Sequence, residues 1–200
     1  MSAKLFQSDI LFSQRILSVA GFYNGALNGK WSSKVDDAQD AFLAKYEELK
    51  QKMGEFDQRT ETAIVTLLPA AQTKAREFMK AVAGKPLSYR ILSGTRTYAE
   101  QDALAAKRPK VTNAKGGQSN HNFGIAWDVG IFEDGKYYEG NNKKEDKAYV
   151  DLGALIKAGV AGVEWGGDWT TFVDKPHYQL ATGKSVKEIR PLFENGKRYT

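Results

Sequence analysis

Two histidines and one aspartate are the side chains in this sequence best suited to holding a catalytic metal ion. His121 and His177 are the only histidines among the 200 residues, and Asp128 follows His121 within an otherwise apolar run. A carboxylate in such a run is costly to bury unless it is paired or binds a cation. Two imidazoles and one carboxylate suffice as ligands for catalytic zinc, which activates water for hydrolysis. On spacing alone, a structural role for the histidines and an arginine partner for Asp128 stay open.

The composition excludes several other kinds of active site and of protein. The chain has no cysteine, which rules out a disulfide framework, a thiolate zinc site, an iron–sulfur cluster and a cysteine nucleophile. No apolar stretch approaches the roughly 18–20 residues that a membrane span needs. Polar residues interrupt the N-terminus before a signal-peptide core can form. We therefore expect a globular chain without a signal peptide and without a membrane span.

The positive charge is concentrated in the last three quarters of the chain. The net charge is +5, and residues 1–50 carry 6 basic and 6 acidic side chains, whereas residues 51–200 carry 23 and 18. A basic surface of this kind could meet nucleic acid, anionic lipid or an anionic cell-wall polymer, or it could simply be a solvated surface.

Local patterns predict a small helical module in residues 1–50, followed by an α+β domain in residues 51–200. Helices are expected at 9–20, 33–49, 61–68, 69–83, 98–106 and 146–158. Strands are expected at 87–92, 123–132, 136–138 and 176–180, with glycine-rich loops at 107–122 and 162–168. Thr97 and Glu100 have the spacing of a capping box, and Asp134-Gly135 is typical of a hairpin turn.

Three sequence motifs contain or flank His121, Asp128 and His177. Residues 119–128 have the form S-x-H-x-x-G-x-A-x-D, and residues 165–177 have the form W-G-G-x-W…F-x-D-x-P-H. Upstream, residues 93–97 with Gln101 form S-G-x-R-[ST]…Q. Together they resemble the zinc D-Ala-D-Ala carboxypeptidase and L-Ala-D-Glu endopeptidase family, the VanY-like M15 group. The resemblance spans about residues 62–180 and is greatest to the L-alanyl-D-glutamate branch found in phage endolysins and CwlK-type enzymes.

The resemblance implies a fold and a set of residue roles. The fold would be a small antiparallel sheet flanked by helices, as in D-Ala-D-Ala peptidases and Hedgehog domains. The zinc ligands would be His121, Asp128 and His177. Asp174 would be the general base that takes a proton from the attacking water and passes it to the leaving amine. Glu164 is the rival for that role.

The remaining assignments concern the substrate. Arg96 would bind the scissile carbonyl oxygen or a substrate carboxylate, for which a fixed cationic fork is suited. Substrate contacts would also come from Ser119, Gln101 and Trp165. For Trp165, packing in the core is the alternative, and Ser119 and Gln101 could serve to order loops.

The first 50 residues have a resemblance of their own. Residues 8–46, with Gly21-Phe22-Tyr23-Asn24-Gly25-Ala26-Leu27-Asn28-Gly29 at their centre, resemble the helical peptidoglycan-binding domain that often precedes wall hydrolases. Ser13, Asn28 and Ser32 depart from that domain's preferred residues. The module would bind peptidoglycan through Tyr23 or Trp31, or it would be a packing appendage that stabilises the peptidase.

The sequence thus predicts a zinc-dependent L-alanyl-D-glutamate endopeptidase acting on bacterial peptidoglycan. A D,D-carboxypeptidase acting on D-Ala-D-Ala termini is the near alternative, and a non-catalytic wall-binding protein is the alternative from another class. We expect a monomer that does not bind nucleic acid. It would be made in the cytoplasm and would reach the periplasm or wall after holin release or through a secretion machine.

Overall fold

A five-stranded antiparallel sheet forms the centre of the structure, a computed structural model that describes residues 6–200. Its strands are β1 (Ser88–Ser93), β2 (Ala126–Glu133), β3 (Lys136–Tyr137), β4 (Val163–Trp165) and β5 (His177–Leu180). The main path runs in the order β1-β2-β5-β4, and β3 pairs with the far end of β2 through a hairpin. The α+β fold predicted from the sequence is confirmed.

Seven α-helices surround this sheet within residues 6–200. They are α1 (Gln7–Ala20), α2 (Ser33–Met53), α3 (Gln58–Ile64), α4 (Pro69–Val82), α5 (Tyr98–Ala106), α6 (Lys143–Gly159) and α7 (Val186–Glu194). The capping box expected at the start of α5 is present, because the Thr97 side chain accepts from the Glu100 backbone and Glu100 accepts from the Thr97 backbone. Pro69 occupies the first turn of α4, where its missing N–H costs no hydrogen bond.

One face of the sheet is apolar and lies in the core, and the other face carries candidate metal ligands. Along a strand, successive side chains point to opposite faces. Trp127 pairs with Tyr178 across β2 and β5, and both are fully buried in the core with Phe78 of α4. The neighbouring pair, Asp128 and His177, therefore lies on the opposite face.

Several predicted elements have different bounds in the structure. The strand expected from residue 123 begins at Ala126, because Asn120–Phe123 form a 3₁₀ turn that Gly124 ends with a φ of +69°. The glycine-rich loop expected at 162–168 contains β4 and a 3₁₀ turn, since β4 is held by pairing with β5.

Helices α3 and α6 have bounds that differ from the predicted ones, and α7 is absent from the prediction. Helix α3 ends earlier than expected, at Ile64, and it begins earlier because the Asp57 side chain caps it by accepting from Thr60 N. Helix α6 begins at Lys143 because Asn142 caps it in the same way. Helix α7 is not among the predicted elements, although Ser185 and Glu188 form a capping box at its N-terminus.

Helices α1 and α2, which lie in the predicted N-terminal module, share a hydrophobic cluster with later parts of the described chain. Ile16 and Leu17 of α1 belong to the same buried cluster as Phe123 and Phe193. Tyr199 lies there too and donates from its hydroxyl to the carbonyl of Phe123. The C-terminal segment is thus packed between the module and the turn that carries His121.

A buried ion pair joins three helices beneath the sheet. Arg76 of α4 is fully buried and donates to both carboxylate oxygens of Glu61 in α3, at 2.9 and 2.7 Å. Tyr46 of α2 donates to Glu61 Oε2 at 2.9 Å, and Arg76 also donates to the carbonyl of Gly54 at 2.7 Å. Because the partners are desolvated together, removal of one leaves an uncompensated charge in the interior.

We therefore predict that Glu61→Ala lowers the free energy of unfolding by about 3–5 kcal/mol, the cost of breaking a buried pair from one side. Urea denaturation followed by circular dichroism measures this loss. Asp151→Ala is the matched control, because Asp151 forms an exposed ion pair with Lys147, and it should leave stability nearly unchanged. Equal stability of the two variants would contradict the prediction.

Candidate metal centre

Three separate elements bring His121, Asp128 and His177 together. Asp128 lies on β2 directly opposite His177, the first residue of β5. His121 comes from the 3₁₀ turn before β2, and its carbonyl accepts from Arg96 N at 3.0 Å. The turn packs tightly: a side chain at Gly124 would come within 3.0 Å of Leu68 and 3.3 Å of Ile16. Glycine is therefore required at this point, both for space and for its positive φ.

The facing donor atoms of these residues form a nearly equilateral triangle. The distances are 3.1 Å between His121 Nε2 and Asp128 Oδ1, 3.2 Å between His121 Nε2 and His177 Nδ1, and 3.4 Å between His177 Nδ1 and Asp128 Oδ1. Donors bound at about 2.0–2.2 Å in a tetrahedral zinc site lie roughly 3.3–3.6 Å apart. The cluster therefore fits one such ion. Within residues 6–200, these three residues are the group of side chains placed closely enough to hold a metal ion.

The other nitrogen of each imidazole faces a hydrogen-bond acceptor. His121 Nδ1 lies 2.7 Å from the carbonyl oxygen of Gly94, and His177 Nε2 lies 3.0 Å from Gln179 Oε1. A carbonyl oxygen only accepts, so each of these nitrogens carries the hydrogen. The nitrogens that face Asp128 are left as the coordinating atoms, as in most metal-binding histidines.

Burial and charge within the cluster shift the pKa values of its three members in different directions. Burial would raise the pKa of Asp128, but both histidines and Arg96 outweigh it and hold that pKa well below its usual range. Burial lowers the pKa of His121. Burial opposes the charge on His177 as well, yet its hydrogen bond to Asp128 and the negative charge there raise its pKa. Of the two histidines, His177 is therefore the one that keeps a second proton to the higher pH.

Arg96 is held at the edge of this cluster by three side chains. Its Nη2 donates to Asp128 Oδ2, the carboxylate oxygen that does not face the histidines. Its Nε donates to Ser93 Oγ at 3.1 Å, and its Nη1 lies 3.4 Å from Gln101 Oε1. Gln101 is itself buried and donates to the carbonyl of Ala114. Gln101 thus contacts the arginine and the 107–118 loop.

Asp174 lines the same cleft with a carboxylate that forms no hydrogen bond within residues 6–200. Burial and the nearby charge of Asp128 raise its pKa. Its backbone N donates to the carbonyl of Gly166 at 3.0 Å. A side chain at Gly166 would lie 2.5 Å from the Asp174 carbonyl, so glycine is required here for close approach.

The two tryptophans of this region have different positions. Trp165 is only 7% exposed, packs against Gly153 of α6 and donates from Nε1 to the carbonyl of Lys175 at 2.7 Å. The alternation along β4 turns its ring into the core and away from the cleft, which corresponds to the packing alternative. Trp169 lies on the cleft wall instead, with its ring 4.8 Å from the ring of His177.

The cleft has a volume of about 540 Å³ and opens over the metal-ligand candidates. Ser119, Trp169 and Asp174 all line it. Exposed apolar side chains stand at its rim: Val111, Tyr137 and Phe172. Of the contacts described above, sequence reasoning missed Gly94 and Gln179; the signal for Gln179 was its position two residues after His177, on the same face of β5.

Three comparisons with known proteins found relatives of this chain. A family model described as D-alanyl-D-alanine carboxypeptidase matches residues 112–180. The chain is 36% identical over 126 residues to the peptidoglycan L-alanyl-D-glutamate endopeptidase CwlK of Bacillus subtilis (strain 168), covering 57% of this chain and 73% of that protein. The solved structure of the L-Ala D-Glu endopeptidase ChiX of Serratia marcescens is 25% identical, with a TM-score of 0.49, over 62% of this chain and 88% of that one.

Metal binding at this cluster should release protons in a pH-dependent way. A protonated Nδ1 of His177 cannot coordinate, so the apparent metal affinity should fall as the pH drops through the raised pKa of His177. Calorimetric titration in two buffers of different ionisation enthalpy measures the protons released. Repetition well above that pKa is the control and should show fewer protons released. Identical heats in both buffers at every pH would contradict the prediction.

Proposed function

The chain belongs to the M15 family of metallopeptidases, and from this membership we infer that it is a peptidoglycan endopeptidase that cleaves the L-alanyl-D-glutamate bond of stem peptides. The observation that carries this conclusion is the 36% identity to an enzyme of that activity, over 73% of its length. The family match over residues 112–180 includes both histidines, Asp128 and Asp174. A D,D-carboxypeptidase and a non-catalytic wall-binding protein are not favoured.

The metal is proposed to be zinc, held by His121, Asp128 and His177. Two imidazoles and one carboxylate are a donor set that zinc prefers, and the spacing of the three donor atoms supports a tetrahedral site. When bound, zinc supplies a Lewis acid that polarises the scissile carbonyl and lowers the pKa of water to about 7. Asp128 would serve two partners, since its second oxygen stays bound to Arg96.

Proton transfer is assigned to Asp174. Its carboxylate lines the cleft and is free of hydrogen bonds within residues 6–200, so it can accept a proton from the attacking water. Its raised pKa makes it a stronger base than a solvated aspartate. The same group would then return the proton to the leaving amine of D-glutamate.

Substrate orientation is assigned to Arg96 and Ser119, which both line the cleft. The anchoring of Arg96 by Ser93, Gln101 and Asp128 fixes its guanidinium before substrate arrives. A preorganised cation of this kind stabilises negative charge that develops on a carbonyl oxygen. We assign Gln101 to holding Arg96 in place and to no direct substrate contact.

The partner of the enzyme is bacterial peptidoglycan, and the proposed place of action is the periplasm or cell wall, with the chain acting as a monomer. No helix within residues 6–200 has the length and apolar character to cross a membrane. The positive charge of residues 51–200 would attract anionic wall polymers over about 10 Å at 0.1 M salt.

Residues 1–50 are proposed to stabilise the peptidase rather than to bind the wall. Tyr23 is buried and donates to the carbonyl of Ala26, so it is not free to stack on a ligand. Ile16 and Leu17 are part of the cluster that contains Phe123. If a chain that lacks residues 1–50 melts at the same temperature as the full chain, this role is contradicted.

The product of the reaction identifies the bond. We predict that digestion of purified peptidoglycan releases fragments whose new N-terminus is D-glutamate, as read by mass spectrometry. A chelator should abolish the release and zinc should restore it, because the cluster is the proposed source of water activation. Release of free D-alanine instead would support the D,D-carboxypeptidase, and activity that survives chelation would contradict the metal site.

Substitution of the two aspartates separates the role of Asp174 as general base from the role of Asp128 as metal ligand. Asp174→Asn should keep its zinc and lose about 10²–10⁴-fold in turnover, the usual contribution of a general base. Asp128→Asn should lose both its zinc and its turnover. Asp168→Asn is the matched control on the neighbouring turn, where Asp168 pairs with exposed Lys157, and it should keep both properties. Metal analysis together with turnover decides the assignment, and loss of zinc from the Asp174 variant would contradict it.

A further inference from the structure

We propose that Gln179 and Glu164 are positioning residues that select the form in which His177 coordinates the metal. The proposal rests on the metal site described above. Neither residue contacts the three atoms of His121, Asp128 and His177 that would bind the metal. They act through the nitrogen of His177 that faces away from it.

The three side chains lie side by side because of the strand register. His177 and Gln179 are two residues apart on β5 and so share a face of the sheet. Glu164 pairs directly with Gln179 across β4 and β5, which places its side chain on that face too. Hydrogen bonds run in one line, from His177 Nε2 to Gln179 Oε1 at 3.0 Å and from Gln179 Nε2 to Glu164 Oε2 at 2.7 Å.

The carboxylate determines which way the amide points. An amide has one donor end and one acceptor end, and an ionised carboxylate can only accept. Glu164 therefore binds the Nε2 end of Gln179 and turns its oxygen toward His177. Asn120 Nδ2 also donates to Gln179 Oε1 at 2.6 Å, but an amide could match either orientation of Gln179. The bond to Glu164 is assisted by charge, which makes it the stronger restraint.

The orientation of Gln179 then determines where the imidazole hydrogen resides. An acceptor facing Nε2 requires a hydrogen on that nitrogen and leaves Nδ1 as a lone pair directed at Asp128 and His121. A reversed amide would present its NH₂ group to Nε2 and place the hydrogen on Nδ1, where it blocks coordination. Gln179 is only 7% exposed, so water does not readily replace its oxygen.

This arrangement gives Glu164 a function other than base catalysis. Its Oε2 is engaged by Gln179, whereas the carboxylate of Asp174 has no such partner within residues 6–200. Partners that orient metal-binding histidines typically change metal affinity by about 10–100-fold when they are removed. We expect changes of that size from Gln179 and smaller ones from Glu164, which acts one residue further away.

The test uses the full chain and two readouts. Zinc affinity is measured by competition with a chromophoric chelator for the wild type, Gln179→Leu, Glu164→Ala and Glu164→Gln. We expect the dissociation constant to rise about 10–100-fold in Gln179→Leu and by less in Glu164→Ala. Glu164→Gln restores an acceptor without the charge and should return the affinity toward that of the wild type.

The second readout needs neither metal nor activity. Long-range ¹⁵N–¹H correlation spectra of the metal-free protein, taken above the pKa of His177, report which ring nitrogen carries the hydrogen. The wild type should show it on Nε2, and Glu164→Ala should show a mixture of the two forms. Circular dichroism confirms that each variant is folded.

The outcomes separate this role from the function on which it rests. Unchanged affinity and unchanged ring spectra in folded Gln179→Leu and Glu164→Ala would overturn the positioning role and leave the peptidase intact. A wild-type chain that binds no zinc would overturn the metal site and this role together. If Gln179→Leu fails to fold, the spectra and affinity of Glu164→Ala decide the question.

Discussion

The pairing of Asp128 with His177 across β2 and β5 is the constraint on which the rest of the site depends. It places a carboxylate and an imidazole on one face of the sheet, and it places Trp127 and Tyr178, the next pair, in the core. A shift of one residue would exchange these faces, burying the carboxylate and exposing two large aromatic rings. The apolar core therefore stabilises the register, and the register holds two of the three metal-ligand candidates in place.

The third candidate depends on packing outside the sheet. His121 lies on a 3₁₀ turn that Gly124 ends, and this turn is held between Leu68, Ile16 and the C-terminal Tyr199. Helix α1 and the C-terminus thus support the site without lining it. The hydrophobic cluster that α1 shares with Phe123 and Phe193 provides this support.

Charge compensation is the second condition for the site. Asp128 is accommodated in a half-buried position because two imidazoles face one of its oxygens and Arg96 binds the other. The same arginine is oriented by Ser93 and Gln101, and His177 is oriented by Gln179 and Glu164. Arg96 and His177 are thus each held by neighbouring side chains that lie outside the donor-atom triangle, as preorganised sites require.

The sequence by itself determined the features that depend on short stretches of chain. The capping box at Thr97, the Asp134-Gly135 hairpin and the α+β class follow from local patterns. The two rare histidines and their motifs were sufficient to select the ligand candidates. Only the tertiary structure decided that Trp165 is a core residue, that Trp169 lines the cleft and that Gln179 contacts His177. These facts depend on which strand pairs with β5 and in what register, and such pairing is the outcome of packing among distant residues that no local pattern specifies.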